Sequence, residues 1–164
     1  MVISFLWHAG GINYKSNWDN SFNKGKSLSG VLQRVNQYYA GNTSVLCHSM
    51  GSRFFEGALN DQSISPPFKE VILFSSDISS NTDDPGFISI INSAKQISVF
   101  KHRKDKMLLF SSRIHGESRM GRTGPVPEAG KMTVYDMTDH IHGFHNHAHV
   151  NRRWAKEQLK KLLQ

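Results

Sequence analysis

With 164 residues, the chain has room for a single domain, 1–164, and too little length for two ordinary ones. Apolar residues at 38%, aromatics at 10% and charged residues at 20% exclude a collagen-like, coiled-coil or wholly disordered chain. A formal charge of +7 favours an anionic partner or substrate, yet the basic clusters (Lys101, Arg103, Lys104 and Lys106; Arg152, Arg153, Lys156, Lys160 and Lys161) lack the repeated aromatic interleaving of a nucleic-acid stacking platform. Nucleic acid is therefore not the expected partner. No stretch approaches the ~20 apolar residues of a membrane span, and the start at Met1 has no basic leader followed by a long apolar run. The single cysteine, Cys47, has no internal disulfide partner. A cytoplasmic protein without membrane contact is the expectation.

Taken in chain order, residues 2–7 (VISFLW) read as a buried strand, and the polar Gly/Asn/Ser-rich stretch 10–25 reads as a loop. Leu28, Val31, Leu32, Val35, Tyr38 and Tyr39 recur at helical spacing, with Gly41 as the stop. Residues 44–47 form a second short strand and Gly51–Leu59 a helix, and 60–67, with its Pro-Pro pair, is a connection. EVILF (70–74) is the strongest strand. A helix over 88–94, a strand over 97–101 (ISVFK) and a helix over 106–112 follow. Residues 116–129 are Gly/Pro-rich and irregular, and 132–137 is the last strand. Residues 152–163 close the chain as an amphipathic helix, with Asn151 as N-cap and Trp154, Leu159, Leu162 and Leu163 facing inward. Five strands separated by helices predict an α/β fold: a doubly wound, mostly parallel sheet of about five strands, with functional loops beyond the strands' carboxyl ends.

One of those loops has a sharp signal. Cys47-His48-Ser49-Met50-Gly51 lies between a strand and a helix and resembles G-x-S-x-G with Cys at the first glycine. A serine on so tight a turn adopts strained dihedrals, and small residues two before and two after let strand and helix approach. The turn sets the Ser49 hydroxyl at a helix N-terminus, where the Met50 amide is available to an oxyanion. The bland alternative is that Ser49 only caps the helix. Cys47 is expected to be packed in the strand rather than reactive, and His48, the neighbour, to aim away from the Ser49 hydroxyl.

A serine hydroxyl needs a base, and the base an orienting acid, in the chain order Ser, Asp or Glu, His. Asp105, after the later strand, is the favoured acid. Asp77 is the alternative, either lining the site or capping the next segment. A surface ion pair of Asp105 with Arg103, Lys104 or Lys106 is the bland reading. His140, His142, His145, His147 and His149 crowd the stretch between the last strand and the final helix, and spacing alone selects none of them as base. Positions 145, 147 and 149 would share a face if extended, which raises a metal-binding reading; the completed Ser-Asp-His order weighs against it.

These segments resemble the bacterial family called alpha/beta hydrolase of unknown function, domain-of-unknown-function family nine hundred. SVLCHSMGSRFFEGAL (44–59) is similar to its H-S-M-G-[NS]-R helix, and VILFSSDIS (71–79) to its strand ending in Asp-Ile-Asp. RKDKMLLFSSRIHGESRMGRTGP (103–125) is similar to its Asp-containing turn, helix and L-H-G-x-x-R-[LM]-G segment. The resemblance implies a reduced α/β-hydrolase fold with Ser49 as nucleophile and Asp105 as acid. The family's closing G-H-S-Y-F stretch lies best on residues 146–150, where only the histidine is identical. That alignment makes His147 the base, with His145 and His149 as rivals. ISFLWHAGG (3–11) resembles a later family strand ending in S-W-P. The upstream strand with H-G-[YF]-N, which donates the second oxyanion N–H, has no counterpart here, so either the chain is a shortened variant or residues 8–11 take over that role.

The expectation is a serine hydrolase, esterase-like, that uses Ser49, Asp105 and His147 to cleave a small-molecule ester or thioester through an acyl-enzyme. Met50 supplies the oxyanion donor, and no cofactor or metal is required. The alternative is a catalytically weak or inactive hydrolase-fold binding protein, in keeping with the missing strand. A homodimer would cover the sheet edge that strand leaves.

Overall fold

A computed structural model describes residues 13–60, 64–126, 130–141, 147 and 152–163. Their elements run α1 (Tyr14–Lys26), α2 (Ser29–Tyr38), β1 (Ser44–His48), α3 (Gly51–Leu59), β2 (Phe68–Phe74), α4 (Pro85–Ser93), β3 (Ala94–Lys101), α5 (Lys106–His115), α6 (Met120–Thr123), β4 (Met132–Asp136) and α7 (Arg153–Leu162). Among the described residues four strands, all parallel, form one sheet in the order β1-β2-β3-β4. The strand expected at 2–7 lies outside the described residues. An α/β sheet with flanking helices is thus present.

The central strand shows why parallel strands read as apolar runs. Every residue of β2 except Lys69 is buried, because helices cover both of its faces. Val71 and Leu73 point to one side with Ile97 and Val99, into a core completed by Phe55 and Leu59 of α3, Phe87 and Ile90 of α4, and Met120 of α6. Ile72 and Phe74 point to the other side with Phe100, against Met137, Ile141 and Ala155, where Trp154, Leu159 and Leu162 of α7 pack. The strand period of two divides the core into these layers. Leu163 does not join them and is 56% exposed; it lies beyond the last helical turn. The N-cap position of α7 belongs to Arg152, which makes no side-chain cap bond. Asn151, the expected cap, falls outside the described residues.

The largest correction concerns 10–25, expected as a loop: Tyr14–Lys26 is a helix, capped by the Asn13 side chain accepting from Ser16 N–H. Its Asn, Ser and Gly content favours turns locally, but packing on α3 overrides that preference. Gly25 and Gly57 are contact points of the two helices. A Cβ on Gly25 would stand 1.9 Å from the Phe54 carbonyl oxygen, and one on Gly57 2.0 Å from that of Phe22. The helix expected over 28–39 is present as α2, but Tyr38 is 82% exposed, and Val31 and Tyr39 face solvent too. Within 116–129, expected as irregular, Met120–Thr123 forms one helical turn.

Candidate functional site

Every expected site residue within the described chain lies beyond the carboxyl end of a strand, where a parallel sheet leaves room for ligands. Ser49 follows β1 directly and has φ +52, a left-handed conformation that costs a non-glycine residue about 1–2 kcal/mol. Neighbouring groups hold it there. Ser49 N–H donates to the Phe74 carbonyl at 3.0 Å, and the Ser49 carbonyl accepts from Ser52 N–H at 3.1 Å and Asp77 N–H at 3.3 Å. The Ser49 side chain does not cap α3, whose N-cap position is Met50 without a side-chain bond. Its hydroxyl lies instead 2.8 Å from His147 Nε2.

Asp105 follows β3 and is the N-cap of α5, fully buried. Its two oxygens have separate partners. Oδ1 accepts from Met107 N–H at 3.0 Å and Leu108 N–H at 3.1 Å, while Oδ2 lies 2.8 Å from His147 Nδ1. A carboxylate accepts only, so the His147 proton sits on Nδ1 and the Nε2 lone pair accepts from the Ser49 hydroxyl. Asp105 does not lie on the surface, as an exposed ion pair would require, and Arg103 pairs with Asp136 at 3.3 Å. Ser49, Asp105 and His147 are therefore joined in one hydrogen-bonded row, open enough that His147 keeps 21% side-chain exposure. His145 and His149 lie outside the described residues, and with them the three-histidine metal reading. Among the described residues no cluster of three His, Cys, Asp or Glu side chains has metal-binding geometry.

Cys47 is buried, and desolvation pushes its thiol up to about 12, which keeps it protonated and inert, as its strand position led us to expect. The carboxylate hydrogen-bonded to the His147 ring is Asp105, not Asp77. Asp77 Oδ1 accepts from the Ser111 hydroxyl at 2.5 Å and faces Arg119 Nε at 3.7 Å, and its Oδ2 accepts from the Tyr14 hydroxyl. Burial raises its pKa despite these three partners. The cluster braces the serine turn from behind, because the Asp77 amide is one of the two donors to the Ser49 carbonyl.

Sequence reasoning missed this brace. Tyr14 was hidden in the supposed loop, and the H-G-x-x-R-M-G segment carried no mechanism. In the structure Gly116 ends α5 at φ +69, Arg119 is fully buried with its Nη1 donating to Glu117 at 3.1 Å, and Met120 enters the core. Gly121 abuts Ser75 and Ser76, where a Cβ would come within 2.2 Å of Ser76 N. Trp18 Nε1–H donates to the Asp77 carbonyl at 3.3 Å, and Trp18 lies under the Arg53 guanidinium at 3.8 Å. The aromatic spacing Tyr14, Trp18, Phe22 was the available signal, one residue every fourth position.

Met107, Phe110 and Ile114 of α5 expose 50%, 51% and 38% of their surface and follow helical spacing from the Asp105 cap. The Tyr14 ring meets Phe110 edge-on at 5.9 Å, which links this apolar strip to the Asp77 brace. No described helix is long and apolar enough to cross a membrane.

A family model described as alpha/beta hydrolase of unknown function (DUF900) matches residues 1–159. No curated protein and no solved structure matches the chain.

Proposed function

Because this chain belongs to the family of alpha/beta hydrolases of unknown function, we propose that it is a serine hydrolase acting on a carboxylic ester or thioester. The observation that supports this most is the row in which Asp105 Oδ2, the His147 ring and Ser49 Oγ follow one another at 2.8 Å and 2.8 Å. Ser49 Oγ attacks the carbonyl carbon while His147 Nε2 takes the hydroxyl proton. Asp105 keeps the other nitrogen protonated and stabilises the imidazolium. The carbonyl π pair moves onto oxygen, where the Met50 N–H at the start of α3 meets it, aided by the positive end of the helix. Collapse breaks the ester C–O or thioester C–S bond, and His147 returns the proton to the leaving group. Water then repeats the sequence on the acyl-enzyme, releasing the acid and restoring Ser49. The cycle calls for no cofactor.

The exposed strip Met107, Phe110 and Ile114, beginning two residues after the Asp105 cap, favours an apolar acyl group over acetate. A fluorophosphonate probe, which phosphonylates an activated serine, should label the native protein and leave Ser49→Ala unlabelled. Failure of the wild-type chain to take label at neutral pH would reject the reading. On p-nitrophenyl esters, Phe110→Ser should lower kcat/KM for octanoate more than for acetate, and equal losses would reject the acyl assignment.

A further inference from the structure

His147 is held not only through its ring. Its main-chain carbonyl lies 3.0 Å from His48 Nε2, and the two imidazole rings are 5.2 Å apart. A carbonyl accepts only, so His48 carries its proton on Nε2 and donates it there. The same device recurs at the start of the segment that leads to His147. His102, 1% exposed just past β3, lies 3.0 Å from the Ile141 carbonyl through Nε2, while its Nδ1 accepts from Lys104 N–H at 3.2 Å. Two imidazoles at the carboxyl ends of two strands thus grip residues 141 and 147 by their backbone. Neither touches the serine hydroxyl.

From this geometry we infer that His48 is a positioning residue: its Nε2–H fixes the main chain at residue 147 so that the His147 ring stands between Ser49 and Asp105. The inference rests on the serine hydrolase reading and adds a role for the residue before the nucleophile. Position 48 suits the task because strand side chains alternate. Cys47 faces into the core, and His48, one residue later, faces the other way, toward the segment that follows β4. The latch bond itself survives either charge state, because an imidazolium keeps its Nε2–H, but the charge on His48 matters to the ring beside it. The titratable groups that face His48 are His147, on that segment, and Asp105, at the cap of α5. Burial holds His48 below the usual histidine value, so at neutral pH it is uncharged. An imidazolium forming on His147 during turnover then meets a neutral neighbour. At lower pH a second positive ring, 5.2 Å away, would oppose it.

The test compares wild type, His48→Phe, which keeps a ring and loses the donor, and His48→Gln, whose Nε2 amide reaches a similar point. The readouts are the labelling rate with a fluorophosphonate and kcat and KM on a p-nitrophenyl ester. His48→Phe should label and turn over about 10- to 100-fold more slowly, the loss expected for a base displaced by a fraction of an ångström to an ångström. Its KM should stay within about twofold, since substrate contacts are intact. His48→Gln should recover most of the rate. In wild type the acid limb of kcat/KM should be steeper than in His48→Gln, which has lost one titrating imidazole.

Wild-type rates in a labelled His48→Phe, or an acid limb in His48→Gln as steep as in wild type, would overturn the assignment while leaving the serine hydrolase reading intact. If His48→Phe does not fold, the His48→Gln slope decides alone. A wild-type chain that takes no label overturns both.

Discussion

Asp105 does two things with two oxygens, and substitution can separate them. In Asp105→Asn the side-chain carbonyl oxygen should occupy the Oδ1 position, because the Met107 and Leu108 amides that point there at 3.0 and 3.1 Å require an acceptor. A flipped amide would set NH2 against two N–H groups. The Asn NH2 is therefore forced toward His147 Nδ1, where the carboxylate now accepts at 2.8 Å. Donation to Nδ1 moves the ring proton to Nε2 and aims it at the Ser49 hydroxyl, so the base cannot accept. A wrong tautomer of this kind costs a triad about 10⁴-fold in kcat, or about 5.5 kcal/mol in the barrier. The cap survives, since Asn and Asp are near-equal N-caps, and stability should change by less than about 1 kcal/mol from that source. Asp105→Ala should lose the cap as well, at about 0.5–2 kcal/mol. The assay pairs kcat on a p-nitrophenyl ester with urea unfolding of each variant. An Asp105→Asn protein that unfolds like wild type and turns over within about tenfold of it would refute the assigned tautomer and the role of Asp105 with it.

Gly57→Ala should be destabilising although alanine is the better helix former. The added Cβ meets the Phe22 carbonyl oxygen at 2.0 Å and its carbon at 2.8 Å, both backbone, and overpacking of about 1–3 kcal/mol outweighs a propensity gain of about 1 kcal/mol. Gly30→Ala in α2, with nothing within 4 Å, is the control and should not lower the urea midpoint. Tyr14→Phe removes one donor from buried Asp77 and should cost about 1.5–3 kcal/mol by urea unfolding, with Ser111 and Arg119 left as partners. His48 predicts the direction of a pH effect on stability. Its folded pKa is depressed by burial, so the unfolded chain binds the proton first as pH falls. The stabilisation is fully present above about 6.5 and lost progressively below it. Thermal melts should show that loss in wild type and less of it in His48→Gln.

What was legible in the sequence was local. The β2 run is apolar at nearly every position because both faces are covered, and Gly51–Leu59 follows a strand after a turn whose small residues announce the bend at Ser49. The place of Asp105, after a strand and before a helix, was legible too, although its role as the cap of that helix was not. The loop expectation for 10–25 failed because Asn, Ser and Gly carry turn preferences, whereas here Gly25 is small so that α1 can lie on α3. Only the tertiary structure brought His147, 98 residues away in the chain, to the Ser49 hydroxyl. Strand periodicity fixes which way a side chain points, but five histidines in ten positions have no periodic order to separate them. That separation comes from parallel register, which brings the ends of β1, β3 and β4 to one rim of the sheet, and from the backbone bonds of His102 and His48 at residues 141 and 147. Such bonds join groups distant in sequence, and no local pattern of residues encodes them.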